Sequence, residues 1–232
     1  MSDEQLARSV FDRIASAMDS MTSRTGMPLR WFHCFGTMLE YIADRTFSID
    51  GGYDIDLGVF FHELDESNLQ RAFEGMGYKV RTTIKNDKDG RPLNIHCAPA
   101  DARIKNTPTV DIYAFYPRKG MYLYTYDYDR EGKKIPSKYT FKKSSKELLE
   151  PHPETIKRIR ERSHPEASLL LGTDGIWRYD VFEDHGSYKM RIPFAYGTLL
   201  DQWYPGWRFR QYFRGQSQSP DGKVVVRSCE DL

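Results

Sequence analysis

The spacing of apolar residues changes several times along this chain, and each change marks an element. Val10, Ile14, Ala17 and Met21 recur at three- and four-residue intervals and predict an amphipathic helix over 2–21, closed by Thr25-Gly26-Met27-Pro28. A short strand follows over Trp31 to Phe35, then a helix from Gly36 to Ile42, a loop from Ser48 to Gly52 and a strand from Tyr53 to Phe61. Leu69, Ala72, Phe73 and Met76 predict a helix that Gly77 stops. Tyr78 to Lys85 and Pro92 to Cys97 form a hairpin around the turn-rich run from Asn86 to Gly90. Thr109 to Tyr116 is a further strand, Pro117 to Gly120 a turn, and Met121 to Tyr128 a strand with tyrosine at every second position.

Beyond residue 128 the pattern weakens. Residues 129–168 are charged and less regular, with a basic helix over Glu154 to Arg162. Trp177 to Arg191 is strand-like with a turn near His185-Gly186, Phe194 to Tyr204 is a short helix, and 215–232 is a polar tail. With no internal repeat or linker, this order predicts one α+β domain over 1–232, with a core at about 30–130 and C-terminal additions at about 131–212.

Composition narrows the function classes. Hydrophobic residues make up 39% and charged residues 29%, as in ordinary globular proteins, and the net charge of +1 gives no push toward nucleic acid. No run of apolar residues is long enough for a transmembrane segment, and the acidic start M-S-D-E-Q lacks the apolar stretch of a signal peptide. Cys34, Cys97 and Cys229 are scattered and odd in number, so a reduced, cytoplasmic protein without a structural zinc site is expected.

Candidate chemistry concentrates in the strand D-I-D-L-G-V-F. Side chains two apart in a strand share a face, so Asp54 and Asp56 project together, opposite Ile55, Leu57 and Val59. Two neighbouring carboxylates repel unless a cation lies between them. A solvated strand face is the ordinary alternative. Three features weigh against it: the strand is otherwise apolar, Asp111 lies in a second apolar strand, V-D-I-Y-A-F-Y, and Gly36-Thr37 opens a helix whose free N–H groups suit a phosphate. Three carboxylates and such a helix start are the parts needed to hold Mg²⁺ and a diphosphate.

G-T-M-L from Gly36, D-I-D-L-G-V from Asp54 and V-D-I-Y-A-F from Val110 together resemble the nucleotidyltransferase superfamily, and within it the LicD/fukutin phosphotransferases. A second stretch agrees: Ile192 to Arg208 reads I-P-F-A-Y-G-T-L-L-D-Q-W-Y-P-G-W-R, and the family ends with a proline, a short helix and a Y-G-x-x-W-like signature, here Tyr204, Gly206 and Trp207 with Pro205 inserted. The resemblance brackets roughly residues 30–210. It implies a mixed β-sheet flanked by helices, with C-terminal helical additions. It implies Asp54, Asp56 and Asp111 as catalytic ligands of Mg²⁺ (or Mn²⁺), Asp111 also helping to deprotonate the acceptor. Gly36, Thr37 and Arg45 are the implied phosphate contacts. The implied reaction moves phosphocholine or an alditol phosphate from a CDP-linked donor to a sugar hydroxyl of a glycan acceptor. The chain departs from the family at Gly52, where a further aspartate is common, and Arg45 only approximates the family's arginine. Two other readings stand beside this one: a nucleotidyltransferase moving a nucleotide from a triphosphate, and a non-catalytic nucleotide- or glycan-binding domain.

Other residues carry weaker signals. Tyr122, Tyr124, Tyr126 and Tyr128 would share a face, suited to stacking on a sugar but more often to cross-strand packing. His33 and His96 lie in strand-like runs and could reach a site, but a hydrogen-bonded structural role is the default. Lys157, Arg158, Arg160 and Arg162 form a basic cluster whose ordinary reading is a solvated helix face. Cys34 is expected to be a small buried residue.

Overall fold

The computed structural model describes residues 3–44, 54–85, 90–101, 107–125, 141–183 and 186–208. In chain order the elements begin with α1 (Asp3–Ser20), β1 (Trp31–His33) and α2 (Phe35–Leu39), which runs into a π-helical turn (Glu40–Asp44). Next come β2 (Asp54–Phe60), α3 (Glu66–Gly75), β3 (Tyr78–Lys85), β4 (Pro92–Pro99), β5 (Thr109–Arg118), β6 (Met121–Thr125) and β7 (Phe141–Ser145). The last elements are α4 (Lys146–Leu149), α5 (Pro153–Arg162), α6 (Pro165–Leu170), β8 (Ile176–Glu183), β9 (Gly186–Pro193) and α7 (Tyr196–Trp203). The architecture is α+β, a curled mixed sheet flanked by helices.

The main sheet runs β1-β2-β5-β4-β3, with β6 and β7 continuing from the far end of β5. β2 and β5 are parallel, and the other pairings are antiparallel. β5 serves two partners in succession: Thr109 to Phe115 lies along β2, and Tyr116 to Arg118 pairs with β6. That change of partner gives the sheet its curl. From Ile55 to Phe60, β2 is buried at every position, as expected of a strand covered on both faces. Gly58 at its centre is required by contact: a Cβ there would lie 2.3 Å from the Phe32 ring.

The helices pack as their apolar spacing predicts. Val10, Phe11, Ile14, Ala15 and Met18 of α1 are buried, and the helix lies on β9 and β1. Asp65 caps α3 by accepting from the N–H groups of Ser67 and Asn68, Leu69 and Phe73 are buried, and Gly77 follows at a φ of 87°. α2 packs against β2 and α7, which brings the C-terminal Trp203 into the centre of the core.

Three expectations are corrected. β5 does not stop at Tyr116 but continues through Pro117 and Arg118, and the turn is confined to Lys119 and Gly120. Proline is tolerated there because β5 has left β2 and β4 and pairs only with β6. The charged region after residue 128 holds a strand, β7, that joins the main sheet. It lacks alternation because, among the described residues, it is an edge strand paired with β6 alone. Third, α6 was not expected; it is a short helix with Pro165 in its first turn. The loop at Ser48 to Gly52, Tyr126, Tyr128 and the tail at 215–232 lie outside the described residues. Among the described residues, no helix is long and apolar enough to cross a membrane.

Candidate metal centre

The centre is built around an abrupt turn between β1 and α2. A single residue, Cys34, separates them, and Phe35 takes a φ of 40°. That left-handed conformation costs a non-glycine residue about 1–3 kcal/mol. Packing of the Phe35 ring compensates, with centroids 4.6 Å from Trp203, 4.8 Å from Tyr113 and 5.1 Å from Tyr124. The turn points the start of α2 at β2. Gly36 N–H donates to Asp56 Oδ2 at 2.9 Å, and Asp56 N–H donates to Thr37 Oγ1 at 2.9 Å. A Cβ on residue 36 would lie 3.1 Å from Asp56 Oδ2, so glycine lets the backbone approach the carboxylate this closely.

Strand register supplies the rest. β2 and β5 pair in parallel with Asp56 opposite Asp111, and Asp54 is two residues earlier on the same face. One carboxylate oxygen from each of Asp54, Asp56 and Asp111 lies within 4.8 Å of the others. β4 continues the row: His96 is opposite Asp111, and its Nδ1 lies 2.8 Å from Asp111 Oδ1.

The electrostatics match the geometry. Asp56 is only 7% exposed, and burial, followed by the charges of Asp54 and Asp111, pushes its carboxyl well above the usual range. Backbone hydrogen bonds from Gly36 and Thr37 oppose that rise. Asp54 is also pushed up, first by its burial and then by Asp111, with His96 acting against the rise. Burial and then the charge of Asp56 push the Tyr204 phenol up, and burial followed by Asp56 and Asp111 does the same to Tyr113.

Hard, anionic oxygen donors converging at this separation suit Mg²⁺ or Mn²⁺. A cation there would relieve the repulsion that raises Asp54 and Asp56. The residues therefore fit such an ion on the chemistry of the donor set.

The structure brings Asp54, Asp56 and Asp111 together, as the sequence led us to expect. Gly36 and Thr37 adjoin them, but in a different capacity from the one expected. The Gly36 N–H is used on Asp56, and the Thr37 hydroxyl, 2% exposed, is held against the β2 backbone. They fix a carboxylate where a phosphate contact was expected. Arg45 lies outside the described residues. His96, expected as a hydrogen-bonded structural residue that could also reach a site, is hydrogen-bonded to Asp111; naming that partner depended on the β4–β5 register.

The remaining candidates take ordinary roles. Tyr122 and Tyr124 are buried in the core, and Tyr122 donates to Glu150, so neither offers an open face for a sugar. His33 is buried, accepts the Arg191 N–H at Nδ1 and is lowered to about 3 by burial. Cys34 is buried. On α5, Lys157 and Arg158 are exposed, and Arg160 donates to the Ser168 carbonyl at 3.2 Å. No family model matches this sequence.

Proposed function

We propose that this protein is a LicD/fukutin-like phosphotransferase on a nucleotidyltransferase-like sheet. It would transfer phosphocholine or an alditol phosphate from a CDP-linked donor to a sugar hydroxyl of a glycan acceptor. The observation that carries the reading is the convergence of Asp54, Asp56 and Asp111, one oxygen of each within 4.8 Å of the others. The parallel β2–β5 pair that bears them and the helix running up to Asp56 support it further.

In this reading the three aspartates hold the ion from one face of the sheet. Bound there, Mg²⁺ or Mn²⁺ would neutralise the donor diphosphate and stabilise the departing nucleotide. Gly36 and Thr37 hold the carboxylate and backbone of Asp56 in place and offset part of the cost of charge there. Asp111 lies between Asp56 and His96 and would complete the donor set for the ion.

The test is CMP release from CDP-choline, CDP-glycerol and CDP-ribitol with Mg²⁺ and glycan acceptors. Asp54→Asn and Asp56→Asn are each expected to lower the rate by about 10²-fold or more. An undiminished rate in either variant would overturn the assignment. Pyrophosphate release from a nucleoside triphosphate would instead mark a nucleotidyltransferase, and cation-dependent nucleotide binding without turnover a binding domain.

A further inference from the structure

We propose that His96 is a positioning residue for the metal centre: it locks the Asp111 carboxylate so that one oxygen faces the protein and the other faces the ion. The inference rests on the triad being a cation site, and it assigns a role to a residue outside that triad.

The oxygens can be counted. On Asp56, Oδ2 accepts the Gly36 N–H at 2.9 Å. On Asp111, Oδ1 is 2.8 Å from His96 Nδ1. As a cation ligand the Asp111 carboxylate would only accept, so His96 would donate from Nδ1. Two of the three carboxylates thus have one oxygen held by the protein, at opposite sides of the row formed by β2, β5 and β4. With its rotation fixed, Asp111 would present one oxygen to an ion, as suits Mg²⁺ or Mn²⁺ better than Ca²⁺, which also takes carboxylates through both oxygens. His96 is itself held from both flanks, opposite Arg81 on β3 and Asp111 on β5. Its pair with Asp111 is partly exposed, with side-chain exposures of 30% and 20%, so contribution to fold stability is a poor account of it. Partners of this kind orient the ligands of metal sites, and their loss commonly weakens binding about 10- to 100-fold.

The experiment is Mn²⁺ titration of the full chain, followed by the electron paramagnetic resonance signal of free Mn²⁺, with thermal melts of each variant. His96→Ala is expected to weaken Mn²⁺ about tenfold and to narrow its preference over Ca²⁺. His96→Asn, whose amide nitrogen occupies the place of Nδ1, is expected to stay within about threefold of the parent. Should His96→Ala not fold, His96→Gln substitutes for it and is expected to bind weakly, because its amide lies one bond further out. If His96→Ala binds like the parent while Asp111→Asn loses Mn²⁺, the role of His96 is overturned and the triad stands. If His96→Asn is as weak as His96→Ala, the hydrogen bond is not the cause and the role is likewise overturned. If Asp111→Asn and Asp56→Asn both bind like the parent, the cation site itself is overturned.

Discussion

Two groups of carboxylates press against the same sheet and are compensated differently. Beside β1, Glu63 accepts from Arg30 Nε at 2.5 Å and Glu150 accepts from Arg30 Nη2 at 2.7 Å, while the guanidinium lies 4.3 Å over the Phe60 ring. Burial alone would raise Glu150, but hydrogen bonds from Tyr122 and Arg30, with the charge of Arg30, outweigh it and hold the carboxyl below its usual range. On β2 and β5, Asp54, Asp56 and Asp111 meet backbone N–H groups and His96, and Asp56 is raised well above its usual range. One cluster carries its own guanidinium; the other leaves excess negative charge in a shaped position. The first ties β1 to the segment before α5, and the second is suited to take its countercharge from outside.

The comparison breaks most visibly at Arg30. Arg30→Met strands Glu63 and Glu150 without their countercharge and is expected to destabilise the protein by about 2–4 kcal/mol in urea unfolding. A cost near zero would mean that the arginine does not hold that cluster together. Next in size is the response to added cation. Mg²⁺ or Mn²⁺ at about 100 times its dissociation constant is expected to stabilise the parent by about 2.7 kcal/mol and to leave Asp56→Asn unmoved, read from melting curves. An equal shift in both proteins would place the binding elsewhere.

Asp56→Asn without added cation gives the third contrast, opposite in sign to Arg30→Met. The Asp56 carboxyl is raised in the folded state, so its favourable contribution is complete below the ordinary aspartate range and is lost as pH rises through the raised value. Asparagine keeps an oxygen for the Gly36 N–H and never ionises. The variant is expected to be more stable than the parent at neutral pH, with the advantage growing as pH rises from the ordinary aspartate range through the raised value. A difference that shrinks as pH rises would contradict the electrostatic account.

How much of this was legible in the sequence follows from which interactions are local. The amphipathic face of α1, the cap and stop of α3 and the β3–β4 hairpin depend on residues close in sequence, and all were legible. The side on which Asp54 and Asp56 project was also legible, since strand alternation is a local property. Asp111 was legible as a third carboxylate in an apolar strand, but its position opposite Asp56 depends on a β2–β5 register that spans the chain. The partner of His96 was hidden for the same reason, because only the antiparallel β4–β5 register puts it at Asp111. The contact of Gly36 with Asp56 was not legible, because a helix start looks the same in sequence whether its N–H groups meet a phosphate or a carboxylate.

Gly36 also gives the smallest and most selective test of the comparison. Gly36→Ala adds a Cβ that would lie 3.1 Å from Asp56 Oδ2, so the carboxylate must yield by a few tenths of an ångström. Residue 36 lies in α2 and outside the left-handed region, and alanine in a helix is favoured over glycine by about 1 kcal/mol. That preference offsets most of the crowding, and melting temperature is expected to change little. The ion is expected to register the displacement, with Mn²⁺ affinity falling about three- to tenfold. The Arg30 cluster, held by other elements, supplies the control, for the cost of Arg30→Met is expected to be the same in the Gly36→Ala background, additive within about 0.5 kcal/mol. A fall in stability with unchanged Mn²⁺ affinity would make Gly36 a packing residue; a fall in affinity alone would separate the placement of the Asp56 charge from the stability of the fold around it.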